Sequence, residues 1–152
     1  AGQSAGLLIV ESKAGVPVLQ ECKTTIREAK AQKLDELRLY DSSEEVNQFS
    51  INKVFGWFNK STRVGLANSI NIEREVGRSK TNIWLGDTLF ILPIEKAIDM
   101  LCQLELYALT CYNVTQGHIN IINQLETKES IEFYDFRIGY PKKLSFTGYP
   151  TL

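Results

Sequence analysis

The chain has 152 residues, of which 43% are hydrophobic and 23% charged, a composition typical of a globular protein with one sizeable core. Seventeen basic and eighteen acidic residues give a formal net charge of -1, and no block of like charges stands out. Nucleic-acid binding is therefore disfavoured, because it needs clustered lysine and arginine. No apolar run approaches the roughly 20 residues of a membrane-spanning helix, so no membrane span is expected.

The chain is expected to consist of an N-terminal segment, residues 1–23, and a single α+β domain, residues 24–152. Two short apolar runs in the first segment flank Ala14-Gly15. This pattern is typical of two short strands in a hairpin, or of an extended segment that orders against a partner. The domain opens with a helix predicted over residues 24–39, where Thr25 and Glu28 have the spacing of a capping box.

Two successive units, each a β-hairpin followed by a helix, make up the centre of the chain. Alternating residues predict the first hairpin over 46–58, and cap residues followed by helical apolar spacing predict a helix over 59–77. A second hairpin is predicted over 81–92, with its turn at Gly86-Asp87. We therefore expect an α+β fold in which one mainly antiparallel sheet packs against helices.

One long helix is predicted over residues 93–125, in the C-terminal half of the chain. Apolar residues recur there at alternating steps of four and three, in a band wide enough to pack against a sheet or several helices. Pro93 suits the first turn, and Gly117 is interpreted as a kink, a close helix contact or an earlier helix end. Four residues are predicted to be core or interface anchors: Trp57 and Trp84 in the hairpins, and Leu101 and Tyr107 on the long helix.

The sequence contains no pattern that indicates catalysis. Its three cysteines, Cys22, Cys102 and Cys111, lack the short paired spacing of a zinc site, so buried free thiols are expected. The single histidine, His118, lies on the apolar face of the long helix, where a hydrogen-bonded core imidazole is favoured over a catalytic base. We therefore predict a non-enzymatic protein with no catalytic residues, no metal and no cofactor. A hydrolase that uses Cys111 or His118 is the less favoured alternative.

A polar and aromatic cluster near the C-terminus is the candidate binding site. Tyr134, Asp135, Tyr140 and Lys142 combine rings with a carboxylate and an ammonium group, and such groups can hold a sugar or a peptide. The alternative interpretation is structural, with Tyr140 and Phe146 packing the C-terminal tail onto the core.

Several short motifs resemble a domain of unknown function that occurs in phage and prophage proteins, mainly of gut Bacteroidetes phages, and in tail-fibre-associated proteins. The matching motifs are Tyr40-Asp41-Ser42-Ser43 with Val46-Asn47-Gln48-Phe49, Trp57 with Lys60-Ser61-Thr62-Arg63, Ile83-Trp84-Leu85, Glu105-Leu106-Tyr107-Ala108 with Cys111-Tyr112 and His118, and Tyr134-Asp135 with Gly139-Tyr140-Pro141. The resemblance covers about residues 40–146. Where that family often has Asn-Gly in the first hairpin, this chain has Asn52-Lys53, so a tight two-residue turn is not expected there.

The resemblance implies a virion or tail context and assigns no catalytic residues. We therefore expect a non-enzymatic structural or assembly module of a phage or prophage tail, assembled in the bacterial host cytoplasm and carried in the virion. Its expected partners are further copies of itself, as a homo-oligomer, or other phage tail proteins. The N-terminal segment and any apolar area left exposed on the helices over 26–39 and 94–125 would bind them. The alternative is a receptor- or glycan-binding module that holds a host-surface ligand with its C-terminal aromatic segment.

Overall fold

In a computed structural model of the chain, the structure describes residues 17–149, with side chains from residue 23 onward. The elements in chain order are α1 (Pro17–Asp41), α2 (Glu44–Asn47), β1 (Phe49–Ile51), β2 (Val54–Gly56), α3 (Lys60–Glu75), β3 (Lys80–Leu85), β4 (Thr88–Pro93), α4 (Ile94–Gln124), α5 (Lys128–Phe133) and β5 (Ser145–Phe146). The α+β class is confirmed, as is the order of hairpin, helix, hairpin and long helix. Pro93 is the last residue of β4, and α4 begins directly after it.

The described residues form two compact units. The first unit contains residues 17–40 and 114–138, which supply most of α1, the C-terminal part of α4 and α5. The second unit contains residues 41–113 and 139–149, which supply α2, α3, the N-terminal part of α4 and the strands β1 to β5.

The predicted N-terminal segment is corrected where the structure describes it. Residues 1–16 lie outside the described residues, but residues 17–23 are helical and belong to α1, so they are not an extended segment. The helix predicted over 24–39 thus begins at Pro17 and ends at Asp41. Proline favours the first position of a helix, because its missing N–H would have no partner there and its fixed φ is already helical.

The two hairpins of the second unit lie in two separate sheets, so the prediction of one sheet is wrong. β1 pairs antiparallel with β2 and parallel with β5, and β3 pairs antiparallel with β4 in a second sheet of two strands. The two hairpins nevertheless approach closely, because a Cβ added to Gly56 of β2 would lie 2.7 Å from Cδ1 of Leu85 of β3. Side-chain packing, rather than a shared backbone ladder, therefore joins them.

Both hairpins close with two-residue turns. Ile51 pairs with Val54, so only Asn52 and Lys53 lie between β1 and β2, and both have positive φ, 50° and 68°. Two left-handed residues define a type I′ turn, whose twist matches that of the flanking strands. The expectation that Asn52-Lys53 would not form a tight turn is therefore wrong. The predicted Gly86-Asp87 turn is confirmed, since Leu85 pairs with Thr88 and Gly86 has a φ of 60°.

Helix α3 of the second unit starts and ends where its sequence indicates. The Asn59 side chain caps α3 by accepting a hydrogen bond of 2.8 Å from the Thr62 N–H. Gly77, with a φ of 90°, takes the left-handed position just beyond the end of this helix. The first half of α4 then covers the hairpins. The buried residues of this core include Phe49, Ile51, Ile70, Ile83, Leu85, Phe90, Leu92, Ala97, Met100, Leu101 and Leu104.

The C-terminal tail is held in the second unit by strand β5 and by one asparagine. The Asn52 side chain donates to the Tyr149 carbonyl and accepts a bond of 3.1 Å from the Tyr149 N–H, as a backbone amide would. Phe146 packs edge-on against Phe49, with ring centroids 6.0 Å apart, and stacks on Tyr149. This supports the structural interpretation of Phe146.

The first unit has its own small core of Leu37, Ile122 and Phe136. Lys33 lies 5.7 Å from the centre of the Phe136 ring, and its ammonium donates to the carbonyls of residues 132 and 134. α4 continues through Gly117, where nothing lies within 4 Å of an added Cβ, so neither an earlier helix end nor a close helix contact occurs there. Among the described residues, no helix combines the length and apolar composition that a membrane crossing requires.

Candidate functional site

His118 is a structural residue of the first unit. Its ring is buried, and Nε2 lies 2.8 Å from the carbonyl oxygen of Ile138, which can only accept a hydrogen bond. Nε2 therefore carries the proton, and Nδ1 accepts a hydrogen bond from the Tyr134 hydroxyl. Both ring nitrogens are thus engaged, as expected for a core imidazole, and neither is available to take a proton from a substrate.

The two cysteines whose side chains are described differ in exposure. Cys111 is buried in the second unit, whereas Cys102 is exposed on α4, so the expectation of a buried thiol is wrong for Cys102. The pKa of the Cys111 thiol is raised overall, mainly because the thiol is buried. A hydrogen bond with Tyr107 lowers this pKa, and the negative charge of Asp41 adds to the increase. Because the thiolate is the nucleophile, a raised pKa makes Cys111 less reactive at neutral pH. Among the described side chains, residues 23–149, no group of histidine, cysteine and carboxylate side chains could hold a metal ion.

Two residues of the predicted C-terminal cluster belong to the first unit and are used internally. The Tyr134 hydroxyl is hydrogen-bonded to His118, and burial, followed by the charge of Asp135, raises the pKa of this phenol. The Asp135 carboxylate accepts a hydrogen bond of 2.9 Å from the Arg137 N–H in a local turn. Tyr140 and Lys142 belong to the second unit, where Tyr140 is half-buried and Lys142 exposed. The four predicted binding residues are therefore divided between the two units, with Tyr134 and Asp135 in one and Tyr140 and Lys142 in the other.

The four predicted anchors have different environments, all within the second unit. Leu101 is buried in the core, and the half-buried Tyr107 donates a hydrogen bond of 2.6 Å to the Val46 carbonyl. Trp57 and Trp84 are 42% and 59% exposed, so neither ring is a core residue. Trp84 faces outward because successive side chains of β3 point to opposite faces of the sheet, and the residues on either side of Trp84 are buried. The interface interpretation of the tryptophans stays a prediction.

A groove of about 780 Å³ lies beside Trp57 in the second unit. Trp57, Leu109 and Tyr112 line it together, and its polar lining includes an ion pair between Arg63 and Glu105. The Arg63 guanidinium also donates a hydrogen bond of 3.0 Å to a backbone carbonyl, that of residue 58. The groove thus combines rings and aliphatic groups that face solvent with a polar wall in which Arg63 and Glu105 neutralise each other. Asp41 and Lys60 also line it.

Exposed apolar residues extend from this groove along α4. Leu106, Leu109 and Tyr112 are 64%, 54% and 59% exposed, at steps of three residues, so they share one side of the helix. We call Trp57, Leu106, Leu109 and Tyr112 the apolar surface. Tyrosine and tryptophan are enriched in protein interfaces, and contiguous exposed apolar patches mark interaction sites.

The exposed face of α4 beside this surface lacks charge. From residue 100 to residue 125 the sequence contains one charged residue, Glu105, apart from the neutral His118. The remaining exposed positions between 102 and 113 are Cys102, Gln103, Leu106, Leu109, Thr110, Tyr112 and Asn113. A solvated helix normally carries lysine and glutamate on this face, whereas the centre of an interface is depleted of charge.

Sequence reasoning predicted Trp57 but missed Leu106, Leu109 and Tyr112. The apolar band of this helix was interpreted as broad core packing, which does not separate the buried positions from these three. The gap in charged residues was the available signal, because core packing explains the apolar positions of a helix but not uncharged exposed positions.

No family model matches the chain, and neither a curated protein nor a solved structure matches it. The resemblance to the phage and prophage domain therefore stays a prediction from the sequence motifs.

Proposed function

We propose that the chain is a non-enzymatic structural or assembly module of a phage or prophage tail that acts through protein–protein contacts. The observation that carries the proposal is the apolar surface. Leu106, Leu109 and Tyr112 lie on an exposed side of α4 where the one charged residue, Glu105, is ion-paired, and Trp57 lies beside them in the groove. The phage setting and the location in the virion rest on the sequence resemblance alone.

The chemistry of the surface supports protein contact. Trp57 and Tyr112 are the residue types that most often dominate binding energy at interfaces, since each buries a large rigid area and keeps one polar atom. Leu106 and Leu109 add aliphatic area beside them. The Arg63–Glu105 ion pair lets this part of the groove wall be covered without leaving either of these two charges unpaired.

The engaged nitrogens of His118 and the raised pKa of Cys111 support the non-enzymatic part of the proposal. The glycan-binding alternative stays a prediction: Tyr134 and Asp135 already use their polar atoms within the first unit.

The test uses Leu109→Lys, with Ile72→Lys as its matched control. Leu109 and Ile72 are 54% and 59% exposed on helices of the second unit, so each change should alter the free energy of unfolding by only about 0.5 kcal/mol. Light scattering gives the mass in solution, and binding of an apolar fluorescent dye reports apolar area left open. We expect Leu109→Lys to disrupt self-association or, in a monomer, to reduce dye binding, whereas Ile72→Lys does neither. A monomer that binds no dye, or equal effects of both variants, would contradict the proposal.

A further inference from the structure

We infer that the partner of the uncharged α4 face is a second copy of this chain, packed with its α4 antiparallel about a two-fold axis near residues 107 and 108. The inference rests on the proposed function and deepens it by naming the partner and its orientation. The stripe at the centre of this contact consists of Cys102, Leu106, Leu109 and Asn113, which are all exposed and recur at steps of four, three and four.

The lack of charge on this face selects the kind of partner. A charged partner surface would lose water against the stripe and gain no opposite charge, and an unpaired buried charge is costly. The complementary surface is therefore itself uncharged, and the chain carries such a surface on α4. The exposed Asn113 amide contains both a hydrogen-bond donor and an acceptor, so it can pair with a polar group across a symmetric contact. Gln103 and Thr110 already donate to the Asp99 carboxylate and the Leu106 carbonyl, and their side-chain oxygens can still accept.

The charges at the start of α4 favour the antiparallel orientation. Glu95, Lys96 and Asp99 are exposed in its first two turns, directly before the uncharged stretch. A parallel pair in register would place Asp99 beside Asp99 of the second copy, and like charges brought together at an interface are repulsive. Glu95 would also lie beside Glu95, although each is ion-paired with Arg74 of its own chain at 3.4 Å. An antiparallel pair centred on the stripe keeps these turns of the two copies at opposite ends of the contact.

The orientation fixes which residues meet. With the axis midway along the stripe, Leu106 faces Leu109 of the second copy, and Cys102 faces Asn113. In this arrangement the two Cys102 residues are separated by about 16 Å along the helix axes, from a rise of about 1.5 Å per residue. A disulfide needs Cα atoms within about 7 Å, so Cys102 of one copy cannot form a disulfide with Cys102 of the second copy. A parallel pair would instead bring the two Cys102 thiols together.

The experiment introduces Asn113→Cys into the full chain with Cys22→Ser, and oxidises the protein before electrophoresis without reductant. We expect a covalent dimer that joins Cys102 to position 113 of the second copy, identified by mass spectrometry of the linked peptides. Asn68→Cys in the same background is the matched control, because residue 68 is exposed on α3 of the same unit, away from the stripe. Neither this control nor the Cys22→Ser chain alone should form the dimer.

Each result decides between the inference and the function on which it rests. A disulfide between the two Cys102 residues would overturn the antiparallel orientation. The orientation would also be overturned if the chain forms an oligomer that Leu109→Lys dissociates, but no disulfide joins residues 102 and 113. A monomeric chain without cross-links would overturn the second copy as partner. The proposed function would survive that last result if dye binding still depended on Leu109, and it would fail if dye binding were absent.

Discussion

Replacing Lys53 by glycine is expected to stabilise the protein by about 0.5–1 kcal/mol, because it removes the steric strain of a left-handed backbone conformation in the turn between β1 and β2. Lys53 has a φ of 68° in a two-residue turn whose other member, Asn52, also has positive φ. A left-handed conformation costs an L-residue about 1–2 kcal/mol through crowding of Cβ against the next carbonyl oxygen, and glycine avoids this cost. Glycine also makes the unfolded chain more flexible, which returns about 0.4–1 kcal/mol of the gain.

Lys53→Ala is the matched control, because it removes the same exposed side chain but keeps the Cβ that causes the crowding. Its free energy of unfolding should stay within about 0.5 kcal/mol of that of the unmodified chain. Urea denaturation followed by circular dichroism measures the difference, and a gain of this size should raise the thermal midpoint by a few degrees, at roughly 2–4 °C per kcal/mol. If Lys53→Gly were no more stable than Lys53→Ala, the left-handed conformation at this position would be refuted.

Two further changes test the packing of the second unit. Gly56→Ala should destabilise the protein by about 1–3 kcal/mol, since the new Cβ would lie 2.7 Å from the side chain of buried Leu85. Gly65→Ala should instead stabilise it by up to about 1 kcal/mol, because nothing lies within 4 Å of the new Cβ and alanine favours a helix. Thermal denaturation of both variants measures these changes. Burial, and then the charge of Asp99, raise the pKa of Tyr149 above its ordinary value of 10.0. Its stabilising contribution is therefore present below about pH 10 and lost as the pH rises through the folded-state pKa, so Tyr149→Phe should lose less stability than the unmodified chain in denaturation curves across this range.

The elements that the sequence predicts well are those whose signals are local. The capping side chain of Asn59 and the left-handed Gly77 bound α3 within a few residues, and the Gly86-Asp87 turn closes the second hairpin. The burial of His118 follows from the helical spacing of the apolar band in α4. In each case the residues that make the structure are neighbours in the chain, so spacing and residue type suffice to find them.

The features that the sequence does not predict depend on residues far apart in the chain. β5 pairs with β1 across more than ninety residues, and no pattern within Ser145-Phe146 indicates that partner. The separation of the hairpins into two sheets likewise depends on backbone pairing between distant segments. The outward position of Trp84 is a different case, because strict alternation in β3 already indicated it once Ile83 and Leu85 were assigned to the core.

The change of character along α4 is the strongest argument that its exposed face is a contact surface. The helix exposes Glu95, Lys96 and Asp99 in its first turns and then, on the same backbone, exposes Leu106 and Leu109. Helix propensity cannot explain the change, since lysine and glutamate form helices about as well as leucine does. Core packing cannot explain it either, because these side chains face solvent in the second unit. What remains is a requirement that acts on the exposed side chains themselves, and contact with another uncharged surface is such a requirement.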